Sequence, residues 1–258
     1  MARHGVLVIG LVVLLVLGPG GTSGAYAQIT GEGKYHRLAL QYWPASGSGP
    51  TTSWTTGFFG LHYSGSALAT PFGLRAQYLS GSTSLGQAES FWEIDLTYRL
   101  AFKFDRPDMR TAPLGGGPVL IRSTVGYASF SWNAVGGPAT SRGFGIGSEA
   151  TMVVRTLASG GTLALVGDFV WFPSTSTTGP LGSGTGSMLT WSVGLRYKSP
   201  AKKAGPTSDS VYVSTLKTAE LLGKEWDLTV GGMGKKAGST SASDYSWSGF
   251  YVAVGKTF

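Results

Sequence analysis

The sequence predicts an all-β protein: a closed antiparallel transmembrane β-barrel of about ten strands, preceded by a signal peptide. The first observation is the composition, with 41 Gly, 8 Trp, 11 Tyr, 12 Phe and no Cys among 258 residues, of which only 13% are charged. Low charge with many glycines and aromatic residues is typical of strands joined by turns. The second observation is a regular alternation of apolar and polar side chains in segments that polar breaks separate.

The N-terminal segment has the form of a secretory signal. Arg3 and His4 give a basic start, residues 6–17 are apolar, and Ala25-Tyr26-Ala27 has the small-x-small form of a cleavage site. The apolar run is shorter than the ~20 residues that a spanning helix needs. We expect a signal peptide over residues 1–27, cleaved after Ala27, and a barrel domain over residues 28–258.

Ten periodic segments follow, and most of them are longer than the about 5–6 residues that are usual for strands in soluble proteins. Later apolar runs are too short for a spanning helix, so any membrane crossing must use strands. The expected strands are about 34–43, 54–65, 71–80, 90–104, 118–132, 142–156, 161–173, 187–198, 224–235 and 246–258.

The fourth segment shows the alternation best. One face carries Trp92, Ile94, Leu96, Tyr98, Leu100, Phe102 and Phe104. The other face carries Glu93, Asp95, Thr97, Arg99, Ala101 and Lys103. An apolar outside and a polar inside are the signature of a transmembrane barrel. A secreted soluble sandwich is the alternative, and this uninterrupted apolar face argues against it.

The breaks predict an orientation with a periplasmic N-terminus. Every second connection is then an outer loop, and these loops are expected at about 44–53, 81–89, 133–141, 174–186 and 236–245. Two inner connections, 105–117 and 199–223, are longer than short periplasmic turns usually are. Within the second, Thr215 to Gly223 reads as a short helix that Gly223 ends, or Val211 to Thr215 reads instead as another strand, so eight or twelve strands remain open alternatives.

Charged residues gather on the predicted lumen face: Arg37, Arg75, Glu93, Asp95, Arg99, Arg122, Glu149, Arg155, Asp168 and Arg196. The same alternation adds Lys103, Lys198, Glu225 and Asp227. Buried charges require partners, so one interpretation is an ionic network that fills a narrow barrel. The other is a narrow pore whose arginines favour anions. A barrel of about ten strands is close to the size that side chains fill, which favours the network.

The last twelve residues, Trp247 to Phe258, read as a closing strand with Phe250, Val252 and Val254 on the same face as Phe258. A chain that ends inside a strand on an aromatic residue resembles bacterial outer-membrane β-barrels of the small OmpA-like or porin-like class. The resemblance implies that these four residues are the signal that the barrel-assembly machinery recognises. It also implies an outer-membrane location, with periplasmic chaperones, outer-membrane lipid and lipopolysaccharide as partners.

The sequence favours a structural or surface role over an enzyme. His62 and Ser64 form an H-x-S pair that resembles that of lipid A deacylases, which are small barrels with a Ser-His-Glu site, but no third group is apparent. Omptin proteases are also ten-stranded barrels with catalytic His and acid residues at the outer rim, but the predicted outer loops here contain no His and only Glu89 and Asp244 as acids. We expect no metal, no cofactor and, since the basic residues are scattered in an exported chain, no nucleic acid.

Gly143, Gly145 and Gly147 form a G-x-G-x-G run on the lumen face of the sixth segment. A dinucleotide fingerprint requires a strand-turn-helix setting, which this segment lacks. We therefore interpret the glycines as room for bulky neighbours in the lumen.

Overall fold

The structure is a closed ten-stranded antiparallel β-barrel, as the alternation predicts. The computed structural model describes residues 35–66, 72–102, 119–134, 136–157, 161–179, 182–199, 226–239 and 244–257. The predicted signal peptide, its cleavage site after Ala27 and the terminal Phe258 lie outside the described residues.

Ten strands form the barrel wall, and each consists of 12 to 20 residues. They are β1 Tyr35–Ser48, β2 Ser53–Ser66, β3 Phe72–Thr83, β4 Ala88–Phe102, β5 Val119–Ala134, β6 Gly137–Thr156, β7 Thr162–Gly179, β8 Gly182–Lys198, β9 Trp226–Ser239 and β10 Tyr245–Thr257.

Each strand pairs with its neighbours in sequence, and β1 pairs with β10 to close the ring. Leu40 of β1, for example, lies opposite Val254 of β10. Since β8 also pairs directly with β9, the ring has no position for an eleventh strand between them. The segment Val211 to Thr215 lies outside the described residues.

One end of the barrel carries short connections, and we call it the hairpin end. Its connections are residues 49–52, 84–87, 135–136, 180–181 and 240–244. The prediction of long outer loops is therefore wrong, because the strands continue through most of the residues assigned to them. Glycines with positive φ make the tight turns accessible: Gly86 at 75°, Gly136 at 96° and Gly182 at 106°. The opposite end, where β1 begins and β10 ends, is the termini end.

The outer surface has a broad apolar belt. Aromatic residues border it in two girdles. The girdle toward the hairpin end contains Tyr42, Phe59, Tyr78, Trp92, Tyr127, Phe144 and Trp171, and the other contains Tyr63, Phe72, Tyr98, Tyr197 and Trp226. Neighbouring rings contact one another, as between Tyr127 and Phe144, whose centroids are 4.9 Å apart. No charged side chain of the described residues faces outward between these girdles. The described part of the chain also contains no helix of the length and hydropathy that a bilayer crossing requires.

The alternation reverses its sense toward the hairpin end. On β1, Leu40 and Tyr42 are exposed on the outside, but the next inward residue, Trp43, is fully buried in the lumen. Beyond it, Ser46 and Ser48 face outward. The barrel thus changes from apolar outside and polar inside to polar outside and apolar inside. We call the outward hydroxyl residues of this part the hydroxyl collar: Ser46, Ser48, Ser53, Thr55, Ser80, Ser82, Ser131, Thr140, Ser174, Ser176, Thr178, Ser183, Thr185, Ser187, Ser246 and Ser248.

Candidate functional site in the barrel lumen

The lumen contains two layers of different chemistry. We define the ionic layer as Arg37, His62, Arg75, Glu93, Asp95, Arg122, Glu149, Asp168, Ser192, Arg196 and Asp227. We define the aromatic plug, which lies toward the hairpin end, as Trp43, Trp54, Phe58, Leu79, Phe91, Phe130, Trp132, Phe172, Met188, Tyr245 and Trp247. Both sets face inward by strand alternation, and they meet in the middle of the lumen.

Arg75 of β3 is the centre of the ionic layer. Its Nε donates to Asp95 Oδ2 and its Nη2 donates to Glu93 Oε1, both at 2.6 Å. Its Nη1 also lies 3.7 Å from Asp168 Oδ1 on β7, across the lumen. Asp168 accepts a further hydrogen bond from Ser192 of β8. One guanidinium therefore joins three carboxylates from two sides of the barrel, which compensates for their removal from water.

Two more ion pairs complete this layer. Arg37 of β1 donates from Nε to Asp227 Oδ2 at 2.7 Å and from Nη2 to Oδ1 at 2.5 Å, which is a bidentate pair. Arg122 of β5 donates from Nη1 to Glu149 Oε1 of β6 at 3.1 Å. The pairs lie on different walls of the lumen, so the arginines are distributed around it and face carboxylates.

Lys235 of β9 lies where the two layers meet. Its Nζ donates to Gln77 Oε1 at 3.1 Å and lies 3.9 Å from Glu93 Oε2. The same ammonium is 5.6 Å from the ring centroid of Phe91 and 5.3 Å from that of Phe130. It therefore combines charge pairing on one side with cation–π contact on the other.

A cavity of about 690 Å³, including space open to solvent, occupies the ionic layer. Arg75, Asp168 and Arg196 line it, and Met233 and Lys235 lie on its border with the plug. Arg196 Nε donates to Thr229 Oγ1 at 3.2 Å. Asp168 keeps 27% of its side chain exposed, so its carboxylate borders this open space.

The aromatic plug spans the full width of the lumen. Phe91 of β4 lies 5.0 Å from Phe58, 4.8 Å from Phe130 and 5.1 Å from Trp247, measured between ring centroids. Trp132 of β5 lies 5.8 Å from Trp247 of β10, and these strands are diametrically opposite in a ring of ten. Aromatic rings from opposite walls therefore pack against one another in this layer.

One carboxylate lies inside the plug. Glu89 is 2% exposed, and its Oε2 accepts hydrogen bonds from Thr56 Oγ1 at 2.8 Å and from Trp247 Nε1 at 3.1 Å. Its Oε1 has no protein partner among the described residues. Glu89 therefore fixes the orientation of the Trp247 indole from the opposite side of the barrel.

The structure brings most of the predicted lumen residues together. Eight of them face the interior: Arg37, Arg75, Glu93, Asp95, Arg122, Glu149, Asp168 and Arg196. The backbone of Arg99 pairs with Arg122, but its side chain lies outside what the structure describes. Phe250, Val252 and Val254 face outward on β10, as the closing-strand pattern predicts.

Arg155 is the exception. The expectation that it faces the lumen is wrong, because β6 contains a bulge between Val153 and Arg155. Val153 lies opposite Ala164, which faces inward, whereas Arg155 lies opposite Leu163, which faces outward. One extra residue moves every later side chain to the other face of the sheet. Arg155 is consequently exposed on the outside, near the termini end.

Sequence reasoning missed the aromatic plug, Glu89 and Lys235. It assigned several of these residues to polar loops or strand ends. The sequence does contain a pattern that indicates the plug: aromatic residues are followed directly by polar ones, as in Trp132–Asn133 and Trp247–Ser248. The two-residue period of a strand continues in these segments, but the inward residues are apolar and the outward residues are polar.

His62 and Ser64 both lie on the lumen side of β2, near the termini end. Arg37 Nη1 donates to His62 Nδ1 at 3.3 Å, so a cation occupies the side of the imidazole where a triad carboxylate would be. Among the described residues there is no cluster of three His, Cys, Asp or Glu side chains arranged for a metal ion.

The glycine run of β6 makes room for side chains of β7, as predicted. A Cβ on Gly145 would lie 2.6 Å from Cε1 of Phe172, and a Cβ on Gly147 would lie 2.9 Å from Cγ2 of Val170. Gly145 thus leaves room for the Phe172 ring, which belongs to the plug.

Comparison with solved structures gives weak similarity to other barrels. The translocator domain of the autotransporter NalP from Neisseria meningitidis is 14% identical, with a TM-score of 0.32 over 90% of this chain and 92% of that chain. A Pseudomonas aeruginosa FadL homologue is 8% identical, with a TM-score of 0.21 over 88% and 90%. The outer membrane protein opdK from Pseudomonas aeruginosa is 10% identical, with a TM-score of 0.17 over 87% and 99%. No protein-family model and no curated protein matches the chain. These values identify no family and assign no activity to this chain.

Proposed function

We propose that this chain is an integral outer-membrane barrel with a sealed lumen and a structural or surface role rather than an enzymatic one. The observation that carries the proposal is the reversal of the alternation along the barrel. A section that is apolar outside suits hydrocarbon, whereas a section that is polar outside and apolar inside suits water. The hairpin end then extends beyond the membrane as a small barrel with its own aromatic core.

The surface supports the membrane part of this proposal. Exposed apolar side chains such as Leu40, Ile94 and Val254 cover the belt, and closure of the sheet pairs its backbone groups. Outward-facing basic residues occur beyond the belt, with Arg142 and Lys236 toward the hairpin end. Aromatic girdles with cations beyond them are typical of a protein held at both membrane–water interfaces.

The lumen supports the sealed state. The plug fills the diameter with rings in contact, and Arg37, Arg75 and Arg122 each face a carboxylate. An arginine that is neutralised by its partner offers little attraction to a passing anion. The paired lumen thus favours the filled barrel over the narrow anion pore, which is the second candidate.

Single-channel recording in a planar bilayer tests the proposal. We expect no conductance steps from the wild-type protein and steps from the double variant Phe91→Ala, Trp247→Ala, which removes the centre of the plug. Phe59→Ala with Phe250→Ala is the matched control, since both residues face outward, and it should stay silent. Steady wild-type conductance whose ion preference changes in Arg122→Ala would establish the pore instead.

A location in the outer membrane implies particular partners. Outer-membrane lipid and lipopolysaccharide would surround the belt, and periplasmic chaperones and the barrel-assembly machinery would act before insertion, through β10. Heat-modifiable migration on a gel, together with recovery in an outer-membrane fraction, tests the location. A protein that stays in the soluble fraction with the same migration before and after heating would contradict it.

A further inference from the structure

We propose that Arg142 and the hydroxyl groups beside it form a binding site for the phosphate of a lipid head group on the outer face of the barrel. The inference rests on the proposed membrane location of the apolar belt. The apolar belt and its aromatic girdles indicate contact with lipid in general, whereas this inference concerns one particular residue of β6.

The first observation is the position of Arg142. Phe144, 71% exposed, belongs to the girdle toward the hairpin end, and Arg142 is the next outward residue of β6 in that direction. The guanidinium therefore extends from the edge of the apolar belt. In a bilayer, this is the depth at which the phosphates of the head groups lie.

The second observation is that Arg142 is exposed and has no partner among the residues that the structure describes. No hydrogen bond, ion pair or ring contact involves it among the described residues. Lys236 provides the contrast, because it is also exposed toward the hairpin end but its Nζ lies 2.6 Å from Asp244 Oδ2. The five N–H donors of Arg142 are thus available, and a planar fork of this kind matches a phosphate bidentately.

The third observation is the set of hydroxyl groups around Arg142. Ser176 of β7 is its direct neighbour across the strand pair, and Ser174 lies diagonally, opposite Phe144. Both serines are exposed, and Thr140 is the next outward residue on β6 itself. Direct cross-strand neighbours have Cβ atoms about 5 Å apart, so one phosphate can contact the guanidinium and a serine together. The surrounding collar carries no acidic residue on β5, β6 or β7 that would repel an anion.

Native mass spectrometry of the full-length barrel in detergent tests the inference, with phosphatidylglycerol, lipid A and phosphatidylcholine added separately. The Arg142→Gln variant should bind the anionic lipids at least about tenfold more weakly, because a charge-assisted hydrogen bond is lost. Arg142→Lys should be intermediate, since it keeps the charge but loses the fork. Lys236→Gln, the matched control, should bind like the wild type.

Equal affinity of wild type and Arg142→Gln for both anionic lipids would overturn the site. Inorganic phosphate that binds as tightly as lipid would overturn its assignment to a head group. Insertion of all variants into phosphatidylcholine vesicles, followed by heat-modifiable migration, reports separately on the membrane location. The proposed function therefore stands or fails independently of this site.

Discussion

Trp132 and Trp247 lie 5.8 Å apart between ring centroids although they project from opposite walls of the barrel. Two indoles from opposite walls thus pack against each other inside the lumen. Phe91 packs against Trp247, and Phe130 packs against Phe91, so further aromatic rings extend this contact. The lumen is therefore lined by packed aromatic rings toward the hairpin end and by paired charges in the ionic layer.

Phe91→Ala should destabilise the barrel by about 3–5 kcal/mol, because it leaves a cavity at the centre of the plug. Phe91 contacts Phe58, Phe130 and Trp247, so the surrounding rings have little room to collapse. Phe91→Leu keeps most of the volume and should cost no more than about 1.5 kcal/mol. Urea unfolding in lipid vesicles measures both. Losses of similar size in the two variants would contradict a tightly packed plug.

Arg75→Met should cost about 3–5 kcal/mol, because it leaves Glu93 and Asp95 buried without their shared cation. Lys236→Met, which breaks the exposed pair with Asp244, should cost no more than about 1 kcal/mol. The same unfolding measurement compares the two. An Arg75→Met variant as stable as the control would show that the ionic layer does not depend on this guanidinium.

Gly126→Ala should destabilise the barrel by about 1–3 kcal/mol through overpacking. A Cβ at this position would lie 2.8 Å from Cγ of Asp95, whose carboxylate packs directly over the glycine. Gly232→Ala is the control, since its nearest neighbour, a ring carbon of Trp191, would be 3.7 Å away. Thermal unfolding followed by circular dichroism should show a lower Tm for the first variant and little change for the second.

The architecture follows from the sequence because one physical rule repeats on every strand. Apolar residues at alternate positions, such as Ile94 and Leu96, predict both the strand and its outward face. The rule also assigns Arg75, Glu93 and Asp95 to the same face of the sheet. An approximate number of strands and the face shared by these charges were therefore accessible from the sequence, whereas the carboxylate that each arginine contacts was not.

Two features were not accessible from the same rule, for different reasons. The face on which Arg155 lies depends on a β-bulge, an extra residue of β6 relative to β7. Alternation within a single strand does not reveal such a bulge. The plug was missed because the polarity of the two faces changes along the barrel: Trp43 and Trp247 face inward by the same two-residue period, but the outward residues beside them are polar. A strand segment whose inward face is apolar and whose outward face is polar resembles a loop if every strand is expected to be apolar on the outside.

Cysteine labelling tests the boundary between belt and collar, because the chain has no Cys of its own. Ser46→Cys and Ser248→Cys lie opposite each other on β1 and β10 in the collar, and both should react with a membrane-impermeant maleimide on intact vesicles. Leu40→Cys and Val254→Cys pair on the same strands within the belt and should stay unlabelled until detergent is added. The expected difference follows from hydration, since a thiol must meet water to react with a charged reagent. Labelling of the belt pair before detergent, at the rate of the collar pair, would place both surfaces in water and exclude the membrane orientation.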